Sequence, residues 1–278
     1  MLLTKHKTAN GSRWAVDGHF LPPSVNLTIL LEMPCETMIE VLDRLSGDES
    51  ASGAALSAAK GEEEVPIDPQ QEVWAAGVTY LRSRDARKAE SSMADIYQEV
   101  YEAERPEIFF KSLGWRVSGN GRPIRIRRDS HWNVPEPELV LVINCHREIV
   151  GYCAGNDVSS RDIEGENPLY LPQAKIFNGS CALGHGILLC KPEMIQNLLI
   201  RMKIRRANDT IFSGEANTAS MKRTLPELVE FLTRELDFPH GVFLMTGTCL
   251  VPNDFTLRTE DVVIIQVGET KIENEVQA

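Results

Sequence analysis

The stretch PEPELVLVINCHREIVGYCAGND, residues 135–157, carries the strongest structural signal in this sequence. Its apolar runs at 138–144 and 148–157 are rich in Val, Ile and Leu and have the length of strands. The polar tetrapeptide CHRE at 145–148 lies between them and favours a tight reversal of the chain. The stretch therefore predicts a β-hairpin.

Three carboxylates lie at the open end of this predicted hairpin. Glu136 and Glu138 are two positions apart at the start of the first strand, so side-chain alternation places both on one face. If the strands pair, Asp157 at the end of the second strand lies beside them. Neighbouring carboxylates repel each other unless a cation neutralises them, and Mg²⁺ or Mn²⁺ prefers oxygen ligands. The hairpin thus predicts a metal site, with a solvated pair of glutamates as the simpler alternative.

The segment NDVSSRDIEGENPLYLPQAK, residues 156–175, continues from the hairpin with many charges and turn-forming residues. It is either a loop whose charges only keep it solvated or a loop that completes a site with a catalytic lysine, Lys175. Glu164 is expected to be a loop residue or the partner of an arginine. Arg161 and Glu166 are candidates for an internal ion pair.

Four motifs in this order resemble the fumarylacetoacetate hydrolase superfamily: PEPEL at 135–139, GNDVSSRD at 155–162, LPQAK at 171–175 and MTGT at 245–248. Each motif is modest alone, but their order is highly specific. The resemblance extends over about residues 72–275.

The resemblance implies a fold and a set of ligands. The fold is α+β, a mixed β-sandwich roll with a small N-terminal domain, and the assembly is a homodimer or a homotetramer. In the family, two glutamates and an aspartate bind Mg²⁺, Mn²⁺ or Ca²⁺, which carries over to Glu136, Glu138 and Asp157. The family lysine matches Lys175, and its Thr-Gly-Thr turn matches residues 246–248.

One segment separates the branches of this superfamily. Hydrolases and decarboxylases of 2-keto acids typically carry G-x-N-Y-x-x-H, whose histidine helps to activate water. The matching segment here is GVTYLRS at 77–83: Tyr80 fits the motif, but Ser83 stands at the histidine position. No histidine occurs between residues 20 and 130. This argues against C–C bond hydrolysis.

Instead, residues 79–87, 101–112 and the extended loop to Lys175 resemble the dehydratases of 2-keto-3-deoxy sugar acids. The resemblance implies metal-dependent dehydration of a 2-keto-3-deoxy pentonate to 2,5-dioxopentanoate through a metal-stabilised enolate. Lys175 and Glu107 are the candidate catalytic groups, with Lys175 either a base or a stabiliser of charge. The candidate substrate contacts are Tyr80, Arg82, Arg84, Ser180 and Thr248.

The sequence is also compatible with two other functions. One is a Mg²⁺-dependent hydrolase or decarboxylase of acylpyruvates or oxaloacetate, which would need another group to activate water. The other is a protein that binds a metal and a sugar acid without catalysis. Loss of the lysine or of one of the three carboxylates would have favoured binding alone, and all four are present.

Composition restricts the remaining function classes. The chain has 278 residues, of which 42% are hydrophobic and 25% charged, so a packed core is expected. A net charge of −11 argues against nucleic acid as a partner. No apolar run is long enough for a membrane span, and the N-terminus lacks a signal-peptide core. Six scattered cysteines without a CxxC pair predict free thiols in a cytoplasmic protein.

The rest of the chain predicts a small N-terminal domain with its linker, residues 1–68, and a catalytic domain, residues 69–278. Within the first, 27–33 is predicted as a strand and 35–47 as a helix. Further strands are predicted at 107–111, 124–128, 185–190, 198–207, 241–247 and 261–267, and helices within 85–104 and 225–236. Many strands without a βαβ rhythm favour an antiparallel or mixed sheet.

Overall fold

The computed structural model describes residues 1–47, 58–82, 84, 94–252 and 254–278. The strands in these ranges are β1 Leu2–Thr8, β2 Gly11–Val16, β3 His19–Phe20, β4 Glu62–Glu64, β5 Glu72–Gly77, β6 Glu107–Leu113, β7 Ile124–Arg125, β8 Asn133–Val134, β9 Pro137–Ile143, β10 Ile149–Asp157, β11 Ser159–Ser160, β12 Cys181–Leu183, β13 Ile187–Leu189, β14 Leu199–Arg206, β15 Asp209–Asn217, β16 Val242–Thr248, β17 Val262–Val267 and β18 Thr270–Gln277. The helices are α1 Leu27–Leu31, α2 Cys35–Gly47, α3 Ala94–Glu102, α4 Arg161–Glu166, α5 Leu171–Lys175 and α6 Leu225–Thr233.

The predicted hairpin is confirmed as β9 and β10, which pair antiparallel with Leu141 opposite Tyr152 and Pro137 opposite Asn156. Every residue of both strands is buried. On its outer sides the hairpin pairs with β16 and with β12 and β13. It therefore lies inside an 11-stranded sheet whose main path runs β3-β2-β1-β13-β10-β9-β16-β5-β6.

Both faces of this sheet are covered, which explains why β9 is apolar at nearly every position. Leu139 and Leu141 point into a core shared with a second sheet of order β15-β14-β17-β18-β7. Val140 and Val142 point the other way, into a core shared with α1 and α2. The resulting sheet-dominated α+β architecture confirms the predicted fold class.

The prediction of a strand at 27–33 is wrong, because these residues begin with the helix α1. Asn26 caps the helix by accepting a hydrogen bond from the N–H of Ile29 at 2.9 Å. Leu27, Leu30 and Leu31 then share the buried face at helical spacing. A helix of five residues has little more than one turn, so its apolar spacing is hard to distinguish from that of a short buried strand.

The other predicted elements are found, with shifted ends. The runs at 107–111, 198–207, 241–247 and 261–267 form β6, β14, β16 and β17, while those at 124–128 and 185–190 shorten to β7 and β13. The helices at 35–47 and 225–236 are α2 and α6, and α3 is the described part of the one expected within 85–104. The strands β1 to β5, β8, β11, β12, β15 and β18 were not predicted.

The N-terminal residues share a core with the larger unit. β1 pairs with β13, and Leu3 and Trp14 pack in the same cluster as Val73 and Phe243. The predicted boundary between two domains at residue 68 stays a prediction, namely that residues 1–68 and 69–278 fold independently. Within the described ranges, no helix is long and apolar enough to cross a membrane.

Candidate active site

Three carboxylates converge where β9 begins and β10 ends, as predicted. The N–H of Asp157 donates to the carbonyl of Glu136 at 3.0 Å. This hydrogen bond joins the end of β10 to the residue that precedes β9. One carboxylate oxygen from each of Glu136, Glu138 and Asp157 lies within 4.8 Å of the others. All three side chains are buried, so their charges are removed from water and must be compensated locally.

The Thr-Gly-Thr segment at 246–248 orients Glu138 from the end of β16, where the pairing with β9 shifts register. The N–H of Gly247 donates to Glu138 Oε2 at 2.7 Å, and Thr248 Oγ1 donates to the carbonyl of Pro137 at 3.0 Å. Gly247 has a φ of +93°, and a Cβ there would lie 2.1 Å from Oγ1 of Thr79. Only glycine suits this position, since any side chain would be strained and would clash.

Lys175 lies among the carboxylates. Its Nζ is 2.6 Å from Glu136 Oε2, 2.9 Å from Asp157 Oδ2 and 2.6 Å from Ser159 Oγ. The short helix α5 ends at Lys175 and delivers this side chain from the loop that follows β10. Lys175 therefore supplies one positive charge that Glu136 and Asp157 share.

Two further buried cations complete the network, and neither was predicted as a site residue. Arg161 donates to Glu136 Oε1 at 2.6 Å and to Glu164 Oε2 at 2.7 Å, so the ion pair predicted with Glu166 forms with Glu164 instead. Lys111 Nζ is 2.5 Å from Asp157 Oδ1. The run EIFFK at 107–111 predicts β6, but nothing in its sequence indicates that the side chain of Lys111 is buried.

The electrostatic environment differs between the carboxylates. Burial, Asp157 and Glu136 together raise the pKa of Glu138 well above its usual value. Burial opposes the charged form of Asp157 as well, but Lys111 and Lys175 outweigh it and hold the pKa of Asp157 below its usual value. Asp157 is therefore a stable anion, whereas the charged form of Glu138 is unfavourable.

These residues border one cleft. Its lining includes the three carboxylates, Lys175 and two other predicted site residues, Glu107 and Thr248. Glu107 begins β6 opposite Gly77 of β5, and a Cβ on Gly77 would meet Glu107 Oε2 at 1.9 Å. The bare backbone of Gly77 is therefore what makes room for the Glu107 carboxylate.

The other predicted substrate contacts are not among the described residues that line this cleft. Ser180 is buried behind Lys175, where its hydroxyl donates to the Lys175 carbonyl at 2.8 Å. Tyr80 is buried in the core between the sheets, and burial raises the pKa of its hydroxyl. Arg82 is exposed, and the guanidinium of Arg84 stacks over the ring of Tyr101 at 5.0 Å.

The residues present suit a hard divalent cation. They offer only carboxylate oxygens, the ligands that such ions prefer. Among the described residues, no cationic side chain contacts Glu138, whose hydrogen bond comes from the N–H of Gly247. A buried carboxylate without a cation is costly, and a bound metal ion would remove that cost.

Comparison with known proteins agrees with this geometry. The family model described as "Fumarylacetoacetate (FAA) hydrolase C-terminal" matches residues 72–277. The chain belongs to the fumarylacetoacetate hydrolase family. The match begins at β5 and ends within β18, so it contains the strands that carry the carboxylates and the cleft.

Two relatives from this family are dehydratases by name. The chain is 47% identical over 207 residues to the "Probable 2-keto-3-deoxyxylonate dehydratase" of Haloferax volcanii, and this covers 73% of the chain and 70% of the relative. It is 44% identical over 212 residues to the "2-dehydro-3-deoxy-D-arabinonate dehydratase" of Saccharolobus solfataricus, with the same coverage.

A solved structure confirms the fold expected of this family. The structure of 2-keto-3-deoxy-D-arabinonate dehydratase complexed with magnesium and 2,5-dioxopentanoate matches with a TM-score of 0.79 and 30% identity. The alignment covers 100% of this chain and 99% of that chain. The likeness therefore includes the N-terminal residues that precede the family match.

Proposed function

We propose that this protein is a divalent-metal-dependent dehydratase that converts a 2-keto-3-deoxy pentonate to 2,5-dioxopentanoate. The observation that carries the proposal is that Glu107, Lys175 and the three carboxylates line a single cleft. The two relatives named as dehydratases, at 47% and 44% identity, support the same substrate class.

Glu136, Glu138 and Asp157 would hold the metal ion, and Mg²⁺ is the first choice because a structural relative binds it together with 2,5-dioxopentanoate. Mn²⁺ and Ca²⁺ take the same oxygen ligands and are alternatives. When bound, the cation polarises the keto group and stabilises the negative charge that develops when C3 loses a proton.

Two side chains of this protein would then move protons or hold charge. Lys175 Nζ donates to three acceptors in the cleft, which suits an ammonium that stabilises negative charge on the substrate. Glu107 would accept the C3 proton and return one to the hydroxyl that departs from C4. One water is lost in this step, and tautomerisation of the enone then gives the C5 aldehyde.

The cleft also bears on the choice between dehydration and hydrolysis. Among its described lining residues there is no histidine to activate water, and Glu107 would supply the proton acceptor that dehydration needs. A hydrolase would need a nucleophilic water beside the keto acid, and the described lining offers Glu107 and Glu164 as its remaining acidic groups. Glu164 is already paired with Arg161.

Turnover of 2-keto-3-deoxypentonates by the purified protein would test this function, with Mg²⁺ and with a chelator, followed by NMR. We expect 2,5-dioxopentanoate to form only with the metal, and a Lys175→Ala variant to lose activity while it remains folded. Release of pyruvate from acylpyruvates or oxaloacetate, without turnover of pentonates, would identify a hydrolase or decarboxylase. Metal binding without turnover of either class would support a binding protein.

We propose that the protein assembles as a homodimer or a homotetramer, as the family resemblance implies, and sedimentation equilibrium would measure its mass. A cytoplasmic location is part of the same proposal. It is supported by six free cysteines, of which Cys153, Cys181 and Cys249 are buried.

A further inference from the structure

One side chain outside the cleft, Arg223, holds the carboxyl end of α3. Its guanidinium donates to the carbonyls of Ala103 at 2.5 Å, Glu104 at 2.9 Å and Val100 at 3.4 Å. Carbonyls at the end of a helix lack partners within it, and the helix dipole favours a positive charge there. Arg223 therefore acts as a cap supplied by a distant part of the chain.

Arg223 itself is fixed to a rigid element. It is buried, and its Nη1 pairs with Glu227 Oε1 at 2.7 Å. Glu227 also forms a capping box with Thr224 at the start of α6. Leu228 and Leu232 of this helix pack in the core between the sheets. The guanidinium is therefore anchored to α6, and the packing of α6 does not depend on α3.

The neighbours of Arg223 hold a second segment. The N–H of Lys222 donates to the carbonyl of Thr79 at 2.9 Å, and Met221 forms a β-bridge with Tyr80. Lys222 Nζ donates to the carbonyl of Tyr101. Residues 221–223 therefore connect the chain that leaves β5 with the chain that enters β6.

These two segments carry the residues that meet at the cleft. Gly77 is the last residue of β5, Glu107 is the first residue of β6, and the two are paired in register. Only Arg105 and Pro106 separate Glu104 from Glu107, and the ring of proline fixes one backbone angle. A displacement of Glu104 would therefore reach Glu107 through only two intervening residues.

We propose that Arg223 is a positioning residue for Glu107, which it holds over Gly77 at the cleft by anchoring residues 100–104 to α6. The role in catalysis rests on the proposed function through Glu107. The metal-binding carboxylates and Lys175 are carried by β9, β10 and α5, and the described contacts of Arg223 lie elsewhere. Loss of Arg223 should therefore separate turnover from metal binding.

The test compares Arg223→Gln and Arg223→Lys with a control, Arg234→Gln. Arg234 follows the same helix but is exposed and pairs with Glu230 at 3.0 Å. Three readouts are needed on the full-length protein: kcat and KM with Mg²⁺ and a 2-keto-3-deoxypentonate, Mg²⁺ affinity by calorimetry, and hydrogen exchange over residues 94–112.

For Arg223→Gln we expect kcat to fall about tenfold or more, because a displaced catalytic group loses its alignment. Mg²⁺ affinity should stay within about twofold, since the described contacts of Arg223 include none of the three carboxylates. Exchange should become faster over residues 94–112 alone. Arg223→Lys should recover part of kcat, because an ammonium keeps the charge but loses the planar fork. Arg234→Gln should match the wild type.

Three results would overturn the proposal. The first is unchanged exchange over 94–112 in Arg223→Gln. The second is faster exchange with an unchanged kcat. The third is a parallel loss of kcat, Mg²⁺ affinity and global stability, which would make Arg223 a structural residue only. A wild-type protein that does not turn over pentonates would instead contradict the proposed function, while the exchange data would still decide whether Arg223 holds the segment.

Discussion

Lys111 Nζ lies 2.5 Å from Asp157 Oδ1, while Lys175 takes the other oxygen of the same carboxylate at 2.9 Å. Lys111 is fully buried and also donates to the carbonyls of Val158 and Lys175. A single lysine therefore fixes a metal-ligand candidate and the backbone of the catalytic lysine candidate. Asp157 stays charged because two cations share it.

Replacing Lys111 with Met should weaken both the fold and the metal site. Breaking a buried ion pair on one side costs about 3–5 kcal/mol, because it leaves an unpaired charge. Mg²⁺ affinity should fall about tenfold, since Asp157 loses a contact that orients it while Lys175 still neutralises its charge. Urea denaturation and calorimetric titration would measure the two effects.

Lys5→Met is a matched control, because Lys5 is also a buried lysine and pairs with Asp68 at 3.2 Å far along the sheet. It should lower the free energy of unfolding but leave Mg²⁺ affinity unchanged. Equal losses of Mg²⁺ affinity in both variants would contradict a specific link between Lys111 and the metal site.

Replacing Lys175 with Met should make the protein depend more strongly on metal. Lys175 neutralises Glu136 and Asp157, so its loss leaves buried carboxylates that a bound cation can compensate. In thermal melts, saturating Mg²⁺ should raise Tm more in the variant than in the wild type, because ligand binding stabilises the folded state. Turnover should fall at least about 10²-fold. A smaller Mg²⁺-dependent rise in Tm than in the wild type would refute this account of Lys175.

Replacing Gly77 with Ala should displace the Glu107 carboxylate, because the new Cβ would lie 1.9 Å from Glu107 Oε2. We expect a lower kcat with unchanged Mg²⁺ affinity. Glu107→Gln should lower kcat by a different route, so the double variant should be little worse than Glu107→Gln alone. Fully additive losses in this double-mutant cycle would show that Gly77 acts independently of Glu107.

Glu148 should give the fold a dependence on pH. Its carboxylate accepts hydrogen bonds from Asn144 Nδ2 at 2.6 Å and from the N–H of Cys35 at 2.7 Å, where α2 begins. The hydrogen bond from Asn144 makes the largest contribution to a lowered pKa of Glu148. Partial burial raises the pKa of Glu148, and the hydrogen bond from Cys35 lowers it further. A lowered folded-state pKa stabilises the fold fully above the unfolded value of about 4.3 and loses this effect as pH falls through the folded value.

Glu148→Gln should therefore be less stable than the wild type at neutral pH and equally stable in acid. The difference should stay below about 1 kcal/mol, because the carboxylate is exposed and solvent screens it. Denaturation at several pH values would measure it. Glu235→Gln, at an exposed glutamate beyond α6, is the control and should show no such trend. A difference that persists in acid would assign the effect to packing.

Local patterns in the sequence were enough for part of the site. Glu136, Glu138 and Asp157 belong to one hairpin, so strand alternation and a short turn fix their relative positions without knowledge of the rest of the fold. The order of the family motifs added Lys175 and Thr248, which line the same cleft. The roles assigned to these residues stay predictions.

Tertiary structure alone decided the other contacts. Lys111 reaches Asp157 although β6 and β10 are distant in the chain and three strands lie between them in the sheet order. Arg223 reaches the end of α3 across an even longer separation. The strand predicted at 27–33 became a helix because Asn26 caps it and its leucines pack against the sheet. The sequence by itself determined the hairpin and its carboxylates because these depend on neighbouring residues. The fold decided which buried cations compensate them, since that depends on which distant segments packing brings together.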